Sequence, residues 1–269
     1  GTKWIGLEYC QLVTLEGNSV HRCGEVPDST GTPIVFADDV FTLGMLIRNC
    51  DQVTAGNNNI SNLQSLNAGT VMAVLDECRS AAGGVSPKNF LQHFYTDNVI
   101  VMSDDNDADL YGFRINVEEG SVAATYSLSQ VQIVGGSVTG KLADPFTRTC
   151  ISVLLGTNGS LYNSLVEGVQ VTGYNINGIG LQVEPAGDPS SAGLYDFKIS
   201  NCMIQGNGEP AAPPAAMAAI GVGNDRQSNN ASSDISSLVI SDNHIFDVVD
   251  KGVLIAPGDT VNRTGGISM

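Results

Sequence analysis

The densest run of groups able to do chemistry is "SDDNDAD", which holds Asp104, Asp105, Asp107 and Asp109. Carboxylates two residues apart can converge on one hard cation where the backbone turns, and such all-oxygen sets suit calcium. Asp104, Asp107 and Asp109 are therefore the candidate calcium ligands. The stretch lacks the glycine and the distal glutamate of an EF-hand loop, so it also reads as a solvated acidic loop. Hydrolysis of a glycosidic bond needs two carboxyl groups about 5 Å or about 6.5–9.5 Å apart. Asp104 and Asp105 are candidates for that work, with Asp107, Asp38 and Asp39 as further carboxylates. Beyond the acidic run, Arg114 alternates with Phe113 and Ile115 and so points away from the core that those two enter. It is the best placed base or substrate clamp, as a lyase would need. The plain alternative is a solvated arginine on a strand.

A binding site without catalysis calls for aromatic faces in a shallow groove. With Trp4 the sole tryptophan, the candidates are Tyr111, Tyr162, Tyr174 and Tyr195. Tyr111 and Tyr195 are taken as the substrate-binding pair, and Tyr174 falls where a turn is expected and would cap it. His244 lies between Asp242 and Asp247, but Met203 replaces it in the matching stretch upstream, which favours a structural role. His21 and His93 have no partner recognisable in sequence. Six cysteines without a CxxC or a Cys/His cluster argue against zinc. Buried free thiols are expected, with a Cys10–Cys23 bridge the alternative. G-x-S-x-G, H-E-x-x-H and Gly-rich phosphate loops are absent.

The elements that carry these residues repeat. "FKISNCMIQGNG" and "LVISDNHIFDVV" share one frame, in which Ile199, Asn201 and Ile204 match Ile240, Asp242 and Ile245. The frame also fits Val171, Gly173 and Ile176 in "VQVTGYNI", and Ile133, Gly135 and Val138 in "VQIVGGSV". A second phrase follows each copy: "TCISVLL", "NGIGLQV", "AAIGVGN" and "KGVLIAP". Alternation over four to eight residues predicts strands with one buried face. Gly or Asn at the break supplies a tight bend, and glycine before the third strand does similar work. Three short strands per repeat, with no helical pattern between them, predict coils that bury their apolar faces only by stacking. This is an all-β parallel β-helix solenoid with loops of unequal length; the alternative is an all-β sandwich. One domain is expected over residues 1–269, with less regular coils over 1–98, clear coils over 99–257 and an end segment at 258–269. Around "GTVMAVLDECRSAAGG" the expectation is a strand at Thr70–Leu75 followed by a short helix.

The phrase "I-S-N-x-x-I … G-I-x-L" resembles the right-handed parallel β-helix, or pectin-lyase-like, superfamily, over about Val99 to Pro257. The resemblance implies coil geometry and an asparagine ladder at the tight turn. Asn201 fits that position, but Asp242 and Gly173 in the flanking copies would break the ladder. It also implies carbohydrate-active relatives. The chain has "DD" twice but lacks the "GHG" and "RIK" of polygalacturonase-like hydrolases, and the "WIDH" and "RxPxxR" patterns of pectate-lyase-like enzymes.

A formal net charge of −16 opposes nucleic acid or an anionic membrane surface as partner. No run of 18 apolar residues is present, so no membrane insertion is expected. The chain opens on Gly1, as a processed or truncated chain does, so a signal peptide is not legible. The expectation is a secreted or cell-surface protein that binds a polysaccharide or cell-surface glycan through outward side chains and insertion loops. The alternative is a polysaccharide lyase or glycoside hydrolase, with calcium the one cofactor suggested. A homo-oligomer, such as a trimeric fibre, would show an apolar stripe along one coil face.

Overall fold

The computed structural model describes residues 2–21, 41–63, 70–79, 88–102, 109–118, 126–140, 147–156, 159–174, 176–183, 191–206, 218–223, 232–248, 251–256 and 263–265. Every element among them is a strand. The first coil holds β1 (Thr2–Glu8), β2 (Gln11–Glu16) and β3 (Ser19–His21); the second holds β4 (Phe41–Arg48), β5 (Asp51–Gly56) and β6 (Asn59–Ser61). The third has β7 (Thr70–Arg79), β8 (Lys88–Thr96) and β9 (Val99–Val101); the fourth has β10 (Asp109–Glu118), β11 (Tyr126–Val134) and β12 (Ser137–Thr139). The fifth has β13 (Thr147–Leu155), β14 (Gly159–Glu167) and β15 (Gln170–Thr172); the sixth has β16 (Asn177–Val183), β17 (Ser191–Ser200) and β18 (Met203–Gln205). The seventh has β19 (Ala218–Gly223), β20 (Ser232–Ser241) and β21 (His244–Phe246), and β22 (Lys251–Ala256) and β23 (Arg263–Gly265) follow.

Each strand pairs in parallel with its counterpart one coil away. The first strands of the coils form one sheet of eight strands, the second strands another of eight, and the third strands a sheet of seven. Three parallel sheets with strands in coil order make a parallel β-helix with three strands per coil. The described residues among the first hundred build coils of the same form. The alternation seen in sequence sends Val131, Ile133 and Val138 inward on one coil, and Leu238, Ile240 and Ile245 on another, into one continuous core. Burying each such side chain stabilises the fold by roughly 1.5–3 kcal/mol relative to exposure.

The bends between strands have a common backbone. Before each strand of the third sheet sits a residue of positive φ: Gly17, Asn57, Asp97, Gly135, Gly168, Asn201 and Asp242. A second positive-φ column, Leu12, Gln52, Gln92, Gln130, Asn163, Asp196 and Ser237, kinks every strand of the second sheet from β2 to β20. The left-handed conformation suits Gly, Asn and Asp, which explains the first column's composition.

Several sequence expectations shift. The frame in "VQVTGYNI" is out of register: Val166 pairs with Ile199, and Val171 pairs with Ile204. The turn of that coil is therefore at Gly168, not Gly173. Thr70–Leu75 is a strand, but the strand runs on to Arg79 with no helix among the described residues. An asparagine ladder exists, one residue past the position expected and nearer the N-terminus. Asn18 donates to Asn58 Oδ1 at 2.9 Å, and Asn58 donates to Asn98 Oδ1 at 2.9 Å. Asn201, at the position first considered, is exposed and donates to Glu167 Oε1 instead. Cys50, Cys78, Cys150 and Cys202 are buried free thiols and Cys10 is a half-buried one; Cys23 lies outside the described residues.

Candidate functional site

The outer face of the first sheet is built from three rows of side chains that run across the coils. Register sets Arg114, Ser152, Gly180, Gly221 and Leu254 in one row. Tyr111, Thr149 and Asn177 flank it on one side, and Asn116, Leu154 and Gln182 on the other. Along the central row the side chain shrinks from guanidinium to hydroxyl to hydrogen, then rises again at Leu254. The result is a trough whose lining includes Tyr111, Arg114, Ser152, Asn177 and Gln182, with about 100 Å³ of solvent space. From β10 to β22 it spans four strand spacings, about 19 Å.

Two glycines form the floor because they lie mid-strand and face outward, a use that their turn-forming reputation hides. The Asn177 amide lies across both: a methyl at Gly180 would meet its Nδ2 at 3.1 Å, and one at Gly221 would meet its Oδ1. The raised end is held by packing. Phe113 and Ile115 anchor β10 in the core at 2% and 1% exposure, which turns Arg114 outward as its alternation predicts. The Arg114 guanidinium then lies 4.8 Å from the Tyr111 ring centroid. This contact orients the cation and leaves its edge for an acceptor.

Past Arg114 the face is closed. Leu43, Leu46, Met72 and Leu75 project outward from β4 and β7 yet are buried, with Tyr111 packed against them. Beside them Glu8, Arg48 and Glu77 form an ion row, with Arg48 at 3.4 Å from Glu8 and 2.7 Å from Glu77. Burial works against the Arg48 charge, but Glu77 and Glu8 more than offset it and raise the pKa.

The candidate residues are divided by the fold. Tyr111 and Arg114 meet in the trough. Asp104, Asp105 and Asp107 lie outside the described residues, as do Asp38 and Asp39. Asp109 opens β10 two residues before Tyr111, and its side chain is outside the described set. Tyr195 is on the second sheet, stacked on Tyr162 with centroids 4.8 Å apart and planes 10° from parallel. Tyr174 is buried at 1% exposure. His244 is exposed on the third sheet, edge-on to Phe246 at 5.3 Å, and pairs in register with Met203. Among the described residues no group of three or more His, Cys, Asp or Glu is placed to hold a metal ion. No helix among them is long and apolar enough to cross a membrane, which says nothing of β-barrels.

The described lining of the trough contains a guanidinium, hydroxyls and amides but no carboxylate. Such a set can hold a polar ligand by hydrogen bonds and one charge–dipole contact. It does not by itself supply the two carboxyl groups of glycoside hydrolysis. Comparison with protein-family models, with curated proteins and with solved structures finds no match to this chain.

Proposed function

We propose that this β-helix is an exported, secreted or cell-surface protein that binds a glycan in the first-sheet trough without transforming it. The observation that carries this reading is the Arg114–Ser152–Gly180–Gly221–Leu254 row, which makes a long floor of low side chains beside Tyr111. A saccharide is flat on one side and ringed with hydroxyls. The glycines keep the floor low beneath the Asn177 amide, and Asn177, Gln182 and Ser152 offer donors and acceptors along its length. One guanidinium on a chain of net charge −16 favours a neutral or sparsely anionic polymer over a highly charged one.

The test is a polysaccharide panel run with and without calcium, scored for binding, for unsaturated product and for new reducing ends. Retention of a glycan with neither product, weakened at least tenfold in Arg114→Ala, supports the proposal. Unsaturated product replaces it with a lyase, and reducing ends with a hydrolase; either result moves attention to Asp104, Asp105 and Arg114. A calcium requirement would point to Asp104, Asp107 and Asp109 as the ligands.

A further inference from the structure

The stacked tyrosines on the second sheet stand beside a run of small side chains that the trough does not use. Tyr162 pairs in register with Ser129 on one side and with Tyr195 on the other. Ser129 in turn pairs with Leu91, which is 45% exposed. Going from coil to coil, the outward positions therefore read Leu91, Ser129, Tyr162, Tyr195. The neighbouring row repeats the step down, since Ser127 pairs with both Asn89 and Ser160.

The Tyr195 ring fills the space above Gly193, its own neighbour two residues back, where any Cβ would meet it. Tyr162 stacks on it at 10°, so both rings are fixed in nearly the same plane orientation. One face of Tyr162 is taken by Tyr195. Because that stack lies on the Tyr195 side, the opposite side is the one on which Ser129 and then Leu91 follow in register. Leu91 and Tyr162 are two strand spacings apart, about 9.6 Å. Carbon surfaces in contact sit about 3.5–4.0 Å apart, so this gap takes one flat ring and no more.

From this geometry we infer that the second sheet carries a separate saccharide subsite. A single uncharged pyranose slots between Tyr162 and Leu91, above Ser127 and Ser129. The ring's apolar face stacks on Tyr162, and its hydroxyls reach Ser129 and the Ser127–Asn89 pair, in which Ser127 donates to Asn89 Oδ1. The occupant is uncharged: the lining side chains carry no charge, and the Asp51 carboxylate that accepts from the Leu91 N–H at 2.7 Å disfavours an anion. Pre-stacking on Tyr195 fixes the Tyr162 ring before the ligand arrives, which lowers the entropy that binding must offset.

The experiment uses the full chain and neutral β-1,4-linked gluco-, xylo- and manno-oligosaccharides as probes, titrated by calorimetry and by retardation in polysaccharide gels. The informative variant is Ser129→Leu. It fills the slot from below while leaving the tyrosine stack and the Leu128 and Val131 core contacts in place. Tyr162→Ala is the second variant, His244→Ala on the third sheet is the control, and Arg114→Ala reads the trough separately. Binding of at least one neutral probe that falls tenfold or more in Ser129→Leu and in Tyr162→Ala, but not in His244→Ala, is the expected result. Failure of every neutral probe to bind, or binding unchanged by Ser129→Leu in a protein with wild-type unfolding, would overturn it. Loss in Arg114→Ala alone supports the trough and refutes the slot.

Discussion

His93 Nδ1 lies 2.7 Å from Asp76 Oδ2 inside the solenoid, and neither side chain has more than 1% exposure. The other ring nitrogen faces the Cys50 carbonyl at 3.0 Å, which can only accept. Tyr95 donates to the same Asp76 oxygen at 2.8 Å. Both histidine nitrogens thus meet acceptors, so the pair holds one shared proton more than a neutral imidazole beside a carboxylate would. Burial opposes the charged ring, but the Asp76 charge and hydrogen bond, and the Cys50 carbonyl, outweigh it and raise the His93 pKa above its ordinary value.

The consequence for stability has a definite sign. A raised folded pKa contributes stability that is fully present below the unfolded histidine value and is lost as pH rises through the folded one. Urea unfolding between about pH 6 and about pH 7.5, below the range where unfolded thiols ionise, should show stability falling with pH. The facing groups Tyr95, Cys50 and Cys78 have pKa values pushed up, chiefly by burial, and stay neutral throughout. His93→Gln should flatten the profile. It should also cost about 3–5 kcal/mol, because it strands a buried carboxylate of which Oδ1 already lacks a partner. A flat wild-type profile would sink this account.

The asparagine ladder predicts a position-dependent cost. Asn58 accepts from the backbone and side chain of Asn18, and donates to Asn98 Oδ1 and to the Leu15 carbonyl. Asn58→Ala leaves several buried groups unsatisfied and should destabilise by about 2–4 kcal/mol. Asn243 repeats the motif near the other end, accepting from Cys202 N and donating to Ile199 O. There Asn243→Ala breaks two bonds with no ladder around them and should cost less, about 1–2 kcal/mol. Equal losses at the two sites, measured by equilibrium unfolding, would argue that the ladder adds nothing beyond local capping.

The scaffold was readable because it is written in two physical signals that sequence displays directly: period-2 alternation, and a positive-φ residue at each bend. Register failed at "VQVTGYNI" because "LVEGVQV" and "VQVTG" both read as alternation ending in glycine. Only the stacking of Gly168 between Gly135 and Asn201 decides between them. The His93–Asp76 pair escaped because its partners are 17 residues apart on adjacent strands of two sheets. A buried Asp also looks, in "AVLDE", like any strand-end acid. The trough escaped for a different reason: Gly180 and Gly221 signal a bend in sequence, while what they supply is room for the Asn177 amide to lie low.

The two positive-φ columns make opposite predictions for a bulky residue and for a glycine. Leu12 sits at φ 56° with 77% exposure, so its side chain offsets little of the conformational cost. Leu12→Asn should stabilise by roughly 0.5–1 kcal/mol, since Asn tolerates the left-handed region. Gly135 sits at φ 65°, and a Cβ there would meet Asp97 Oδ1. Gly135→Ala should therefore destabilise by more than 1 kcal/mol, through strain and contact together. Thermal unfolding of the pair reads both signs, and a stabilising Gly135→Ala would show that the bend is softer than its φ implies.

Two glycines two residues apart on β16 separate fold from site. Gly178 faces the core, where a Cβ would lie 2.7 Å from Ile204 Cγ2 and 2.8 Å from the Ala219 carbonyl oxygen. The backbone oxygen cannot retreat without shifting β19, so Gly178→Ala should cost about 1–3 kcal/mol by overpacking. Gly180 faces the trough, where the nearest atoms are the movable Asn177 amide at 3.1 Å and the Thr149 methyl at 3.2 Å. Gly180→Val suits a strand and should change stability by no more than about 1 kcal/mol. It raises the floor midway between Arg114 and Leu254, so a polymer lying along the trough would have to leave it at that point. Glycan retention should fall at least tenfold in Gly180→Val with unfolding near wild type. Retention preserved in that variant would mean that bound glycan does not run along the floor, and that Arg114 and Tyr111 hold it from one end.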